Sequence, residues 1–418
     1  MGKIVIIGGG WAGCAAAVAA KKTGAQVELL ERTDLLLGLG NVGGIMRNNG
    51  RFTAAEENIA MGAEELFQIT DRCACHRYVD FPGHEHAFFY NVMRVEPEVR
   101  KLLTKLDVEV SLLTRIVDVE QNGQKLTAVM TADGRRFTAD AFIDCTGTTG
   151  PMGNCMEYGN GCSMCVLRCP AFGGRVSISE KAGGHDYFGQ RKDGTPGAFS
   201  GSCKIEKESL SEDLQRQLND KGVAIVPLPE ELINRNKLSA KVCRQYALPQ
   251  FAENVVLIDT GYAKMMTPFF PLEQLRSVKG FEQARFADPY AGGKGNSIRY
   301  LAITERDAYM KVRDVDNLFC GGEKAGPFIG HTEAISTGTL AGHNAGRFVR
   351  GIELLQLPET TAIGALLAYK KDDGGMFTFA GDDFFAHMKE QGLYCTEPEE
   401  IRNRIAENGL DGVYNAFQ

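Results

Sequence analysis

The feature that most constrains the fold of this chain is a glycine turn set between two apolar runs near its start. Lys3-Ile4-Val5-Ile6-Ile7 is short, apolar and β-branched, as a strand buried on both faces must be. It leads directly into Gly8-Gly9-Gly10-Trp11-Ala12-Gly13, which satisfies G-x-G-x-x-G at Gly8, Gly10 and Gly13. Alanine-rich sequence to Lys22 predicts a helix, and residues 26–31 predict a second strand ending in Glu31, 18 residues after Gly13. Glycines at these positions permit a tight turn, close approach of a pyrophosphate to the helix start around Ala12, and helix–strand packing. An acid at the position of Glu31, followed by Arg32, can take a ribose hydroxyl pair. The expectation is an α/β fold with a Rossmann-like, single-dinucleotide-binding domain.

The same stretch excludes a misreading. Met1-Gly2-Lys3 followed by apolar residues 4–20 resembles a secretory leader. Three consecutive glycines would break the helix of such a leader but suit a strand–turn–helix. No other segment approaches the ~20 apolar residues of a membrane span, so a cytoplasmic protein with no membrane partner is expected. With 418 residues the chain has room for two or three domains. Its formal charge of −7 gives no general attraction for nucleic acid, which is therefore not favoured as a partner.

Later segments select FAD over NAD. Residues 108–110 and 116–119 read as strands, with a turn at Asp133-Gly134, and residues 139–147 give an apolar strand ending in Thr146-Gly147. Residues 316–323 repeat the strand-then-glycine arrangement through Gly321, Gly322 and Glu323, and a helix is predicted from Thr332. A domain that binds only NAD does not require these two distant glycine segments. The expected division is a FAD-binding domain at 1–150 and 255–355, an α+β insert at 151–254 and a small helical C-terminal region at 356–418. Part of that region, residues 377–385, is expected to cover the flavin.

On these residues the chain resembles single-dinucleotide-fold flavoproteins. Residues 316–347, with Gly-Gly-Glu-Lys-Ala-Gly and Glu-Ala-Ile-Ser-Thr-Gly-Thr-Leu-Ala-Gly-His-Asn-Ala, are similar to the glucose-inhibited division protein A family. That family includes the folate- and FAD-dependent tRNA uridine methyltransferases and tRNA wobble-uridine modifying enzymes. Residues 361–369 and 377–381 extend the likeness toward the methyltransferase branch. The resemblance implies that Thr146 and Gly147 lie near the adenylate and that Gly322, Glu323 and Thr332 reach the ribityl and pyrophosphate. The usual acid of that late segment is Asp, whereas here Glu323 falls one residue later. The Gly43-Gly44 pair leads into residues at the isoalloxazine edge, where Arg47, Asn48 and Asn49 are candidates to orient a substrate. Lys324 and His331 are candidate proton donors. The family's cysteine nucleophiles do not match: the loop 37–44 has none, and Phe270 or its neighbours stand where the methyltransferase branch has the second. Covalent attack on a uracil ring needs a thiolate that can add and leave, so the sequence makes RNA modification the secondary reading.

One motif departs from the family. Cys155, Cys162, Cys165 and Cys169, closed by Pro170, form C-x6-C-x2-C-x3-C-P within 15 residues. The spacing resembles the tail of bacterial ferredoxin ligand runs and points to a [4Fe-4S] cluster. Structural zinc and a redox dithiol at Cys162/Cys165 are the other readings. No second glycine fingerprint lies between Thr146 and Asn317, so electrons would come from a small-molecule substrate, through the cluster, or from an electron-donor protein such as a ferredoxin. The primary expectation is thus an iron–sulfur FAD oxidoreductase. A zinc-stabilised, non-catalytic flavin-binding module is a third reading, and a homo-oligomer is compatible with all three. Cys73, Cys75, His76, His84 and His86 read as an irregular loop beside the flavin.

Overall fold

A computed structural model describes residues 2–147, 169–188, 198–199, 203–240, 244–266, 270–287, 298–299, 302–369 and 382–417. Its centre is a five-stranded parallel sheet of β1 (Lys3–Ile7), β2 (Gln26–Leu30), β3 (Glu109–Ser111), β4 (Ala141–Asp144) and β5 (Leu318–Cys320), in the order β5-β4-β1-β2-β3. Ile4, Val5 and Ile6 have no exposure, as a central parallel strand covered on both faces requires. Strand β1 is flanked by β2 on one side and β4 on the other, with Ile7 opposite Leu30 and Asp144. All the chain's nucleotide-binding signals therefore emerge at the carboxyl ends of adjacent strands, where open α/β sheets bind ligands.

Two helices complete this arrangement. Helix α1 (Trp11–Lys22) follows β1, and helix α2 (His331–Val349) follows β5. Every residue of α1 from Trp11 to Ala20 is buried, which explains its alanine content: larger side chains would hold its neighbours away. Helix α2 approaches closely because Gly338, Gly342 and Gly346 recur every fourth residue along one face. A Cβ at Gly338 or Gly342 would overlap the carbonyl oxygen of Ala12 or Ala16.

Three further sheets of three or four strands surround this unit, beside two two-stranded pairs. An antiparallel meander joins Ile116–Asn122, Lys125–Thr131 and Arg136–Thr138. A second joins Ile45–Met46, His84–Tyr90 and Ala74–Phe81. The segment around Cys75 and His84 is thus a β-hairpin and not the irregular loop expected from its composition. The third sheet runs Cys203–Ile205, Ala263–Met265, Asn254–Asp259, Val223–Pro227. It crosses the expected boundary at residue 254, because Asn254 to Ile258 pair with Val223–Pro227. The inserted layer therefore takes strands assigned from sequence to the FAD domain. The hairpin and this sheet share a core of Phe81, Phe89, Phe251 and Ile258, and His76 and Lys207 both contact the Asp259 carboxylate, at 3.0 and 3.1 Å.

In the C-terminal region the described helices are Ala362–Ala368, Asp382–Glu390 and Pro398–Glu407. Glu57, on helix Gly50–Ala60, accepts from the backbone N–H groups of Ala362 and Ile363 at 2.8 and 3.1 Å. Among the described residues no helix is long and apolar enough to cross a membrane.

Candidate functional site

A cavity of about 400 Å³ opens at the carboxyl ends of β1, β2 and β4. The fingerprint glycines divide their work there. Gly8 has φ +102°, and a Cβ on it would strike the Cys145 carbonyl. A Cβ on Gly13 would overlap the Gly8 oxygen, so Gly13 sets how closely α1 packs on β1. Gly10 lines the cavity, and a Cβ there would meet nothing within 4 Å. That open space lies at the start of α1, whose N-terminus carries no side-chain cap. The N-terminus of α2 is likewise uncapped by a side chain. His331, its first residue, and Ala334 line the same cavity. Two helix starts thus bring backbone N–H groups and positive dipole ends to one space.

Glu31 is held rigidly. Its Oε2 accepts from Gly9 N at 2.7 Å and its Oε1 from Thr33 N at 2.8 Å, leaving further lone pairs for a ribose diol. Arg32 lines the cavity beside it and donates to the Gly173 carbonyl. Thr146 and Gly147 line the next stretch of wall. Asp144, fully buried, accepts from Thr146 and Ser179 and thereby shapes this wall. Gly322, at φ +72°, and Glu323 line the cavity from β5, with Gly322 N donating to Thr337 Oγ1 at 2.8 Å.

The other lip is formed by the loop 38–45 and by side chains from distant elements. Tyr90 donates to the Gly40 carbonyl at 2.6 Å, so its oxygen accepts from His331 Nδ1 at 3.1 Å. This pairing puts a proton on Nδ1 of His331. Gly43 is required because a Cβ would fall within the His331 ring. Lys264, only 5% exposed, reaches from the third sheet to the Gly43 carbonyl and lines the cavity, as do Asn48, Arg51 and Tyr246. Arg51 is braced by Glu333, Gln245 and the Ile329 carbonyl.

Several expected site residues lie elsewhere. Arg47 is buried in an ion-paired cluster with Glu56 and Asp71 and is not among the cavity-lining residues. Asn49 bonds the backbone of Gly83 and Glu85. Lys324 is fully buried against Asp186 and Ser177. These three are bracing residues, because burial of their polar groups forces them to spend their hydrogen bonds on protein partners. Gly44, at φ +76°, faces Thr260, and Thr332 borders a separate small cavity with Phe384 and Met388. Residues 377–381 of the expected flavin cover lie outside the described residues. Of the residues on this lip, the sequence points to Asn48, which follows the Gly43-Gly44 pair, but not to Arg51, Tyr246 or Lys264. The last two come from other elements and carry no local motif.

Of the cysteine run, Cys155, Cys162 and Cys165 lie outside the described residues. Cys169 Sγ is 3.9 Å from Arg32 Nη1, at the Glu31 end of the cavity. Among the described residues no group of three or more His, Cys, Asp or Glu side chains is arranged to hold a metal. His76 is engaged with Asp259 and His84 with Asn48. Burial pushes the thiols of Cys75 and Cys320 up to about 11 and about 12 and raises those of Cys14 and Cys145 further. None of these four is a ready thiolate at neutral pH.

Comparison with known proteins agrees with this geometry. Residues 3–150 match the FAD dependent oxidoreductase family and residues 258–353 the Glucose inhibited division protein A family. The methylenetetrahydrofolate–tRNA-(uracil-5-)-methyltransferase TrmFO of Bacillus pumilus is 34% identical over 141 residues, covering 34% of this chain and 32% of that protein. That of Brevibacillus brevis is 34% identical over 115 residues, covering 26% of this chain and 24% of the relative. The chain thus spans a third or less of these relatives. The tRNA uridine 5-carboxymethylaminomethyl modification enzyme MnmG of Thermus thermophilus is 25% identical, covering 87% of this chain and 68% of that protein. Aquifex aeolicus GidA has the same fold, with TM-score 0.66 and 14% identity over 97% of this chain and 76% of that one.

Proposed function

From its GidA/TrmFO-like, FAD-dependent scaffold, we propose that this chain is a flavoenzyme that modifies a uridine of an RNA through a redox step at FAD. The observation that carries the reading is the two-sided cavity: two glycine-rich helix starts and the strand-end acid Glu31 on one side, and a polar lip of Asn48, Arg51, Tyr246, Lys264 and His331 on the other. The FAD-dependent family matches support the cofactor, and the relatives' names support the RNA substrate.

The residues present fit FAD. Gly10 and the α1 start leave room for a pyrophosphate, Glu31 would hold the adenosine ribose, and Gly322 with the α2 start would meet the ribityl chain. FAD, when bound, supplies a two-electron carrier. The chain supplies orientation and proton handling. Lys264 brings a buried positive charge to the Gly43 loop, where it would stabilise negative charge developing on a bound ligand. His331, with its tautomer fixed by Tyr90, can accept a proton at Nε2.

A second reading has its own observation. The contact between Cys169 and Arg32 brings the end of the cysteine run to the cavity wall, which favours a [4Fe-4S] cluster at Cys155, Cys162, Cys165 and Cys169 relaying electrons to FAD. Nucleoside mass spectrometry of RNA from a deletion strain, before and after incubation with anaerobically purified enzyme, tests the main reading. Loss and restoration of one uridine derivative supports it, and an unchanged nucleoside profile overturns it. Iron and zinc analysis of the same preparation decides the second: iron at cluster stoichiometry supports the relay, and zinc alone removes it.

A further inference from the structure

Asn48, one of the polar residues of the cavity lip, forms a buried pair with His84, which the reading above does not use. His84 is 2% exposed and stacks with both Phe81 and Tyr246, with ring centroids 4.3 Å from each. Its Nδ1 is 2.9 Å from Asn48 Nδ2. A carboxamide nitrogen only donates, so Nδ1 is the acceptor and the ring proton sits on Nε2. Burial holds His84 neutral, its pKa lowered to about 3. His84 therefore cannot become a donor at Nδ1 by protonation near neutral pH. The consequence falls on Asn48. The bond to His84 is its carboxamide's one side-chain hydrogen bond to a described residue, and Asn48 lines the cavity beside Tyr246 and Arg51. Fixing Nδ2 on His84 fixes Oδ1 as well and leaves one amide hydrogen and the carbonyl oxygen for a ligand.

We infer that Asn48 reads the imide edge of a bound heterocycle, an N–H flanked by C=O, and that His84 is the positioning residue that sets its orientation. An oriented carboxamide offers an acceptor beside a donor, the complement of that edge. Both the pyrimidine ring of the isoalloxazine and a uracil carry such an edge. The inference rests on the proposed function only for the uracil arm, since the flavin arm needs FAD alone. A site that satisfies an N–H rejects an analogue lacking it, because its own polar group is then left unpaired.

The test compares FAD with N3-methyl-FAD on apo-protein by fluorescence titration. It also compares uridine with 3-methyluridine on FAD-loaded protein by perturbation of the flavin spectrum. Wild type should prefer the unmethylated member of at least one pair by about tenfold or more, and Asn48→Ala should abolish that preference. His84→Phe keeps the ring stack but cannot accept from Asn48, so it should lose the preference too. His84→Gln, which can accept, should retain most of it. Loss of preference in the FAD pair alone assigns the edge to the flavin, and loss in the uridine pair assigns it to substrate. If FAD discrimination behaves this way but uridine does not bind, the inference stands and the RNA reading falls. Absence of preference in wild type, or preference unchanged in Asn48→Ala, overturns the inference.

Discussion

Gly13 and Glu57 show how much single positions decide here. At Gly13 a methyl group would meet a backbone oxygen, not the end of a flexible side chain, so α1 would have to move off β1. Gly13→Ala should cost about 1–3 kcal/mol or more, the usual range for overpacking, and thermal unfolding of the apo-protein checks it. Glu57 is buried without exposure, and burial raises its pKa to about 7 against the opposing bonds from Ala362 and Ile363. Its folded pKa exceeds the unfolded value near 4.5, so the folded state binds more protons between these values. The stability from Glu57 is present below pH 4.5 and lost as pH rises to about 7. His84 and His343 have the opposite sign. Burial lowers both to about 3, so their contribution is present above pH 6.5 and lost on acidification toward 3. Chemical denaturation across pH should find that Glu57→Gln flattens the decline from pH 4.5 to 7, and His343→Phe the decline below 6.5. Unchanged profiles would contradict these assignments.

At the scale of elements, the crossing of α1 and α2 positions both helix starts at the cavity. It depends on Gly338 and Gly342 meeting Ala12 and Ala16 with no side chain between. Gly342→Val should lower the melting temperature by several degrees and weaken FAD binding together, because the α2 start would be displaced. A variant that loses stability while keeping wild-type FAD affinity would separate packing from the site. These elements were legible in the sequence where the signal is local. Strand, glycine turn and alanine-rich helix at residues 3–22, and the segments ending at Gly147 and Gly322, carry period, composition and turn chemistry together. The hairpin at 74–90 was not legible, because its aromatic and histidine content reads as irregular until Phe81 and Phe89 find Phe251 and Ile258 across the chain. That one sheet spans residue 254 was not legible for a related reason. Asn254–Asp259 is an apolar run that suits either a parallel or an antiparallel sheet, and only its pairing with Val223–Pro227 decides.

For the whole molecule, a Rossmann-like FAD scaffold presents one wall of the cavity, while the loop 38–45, Asn48, Arg51, Tyr246, Lys264 and His331 present the other. The scaffold wall was readable because glycine geometry and a strand-end acid are local demands. The facing wall was read only in part. His331 was found from its place after the late glycines, but Lys264 and Tyr246 reach the site from strands and turns whose own sequence gives no sign of it. Arg47, Asn49 and Lys324 are buried against protein partners, since chemistry-bearing residues near a flavin serve equally well as braces. The central claim is that FAD occupies the space in front of Gly10. Fluorescence titration of apo-protein with FAD, for wild type and Gly10→Val, tests it most directly. The account predicts one-to-one binding by wild type and binding at least about tenfold weaker in the variant. The apo-protein melting temperatures should agree within about 2 °C, since the added side chain meets no protein atom nearby. Equal affinity in the two proteins, or no FAD binding by wild type, would contradict it.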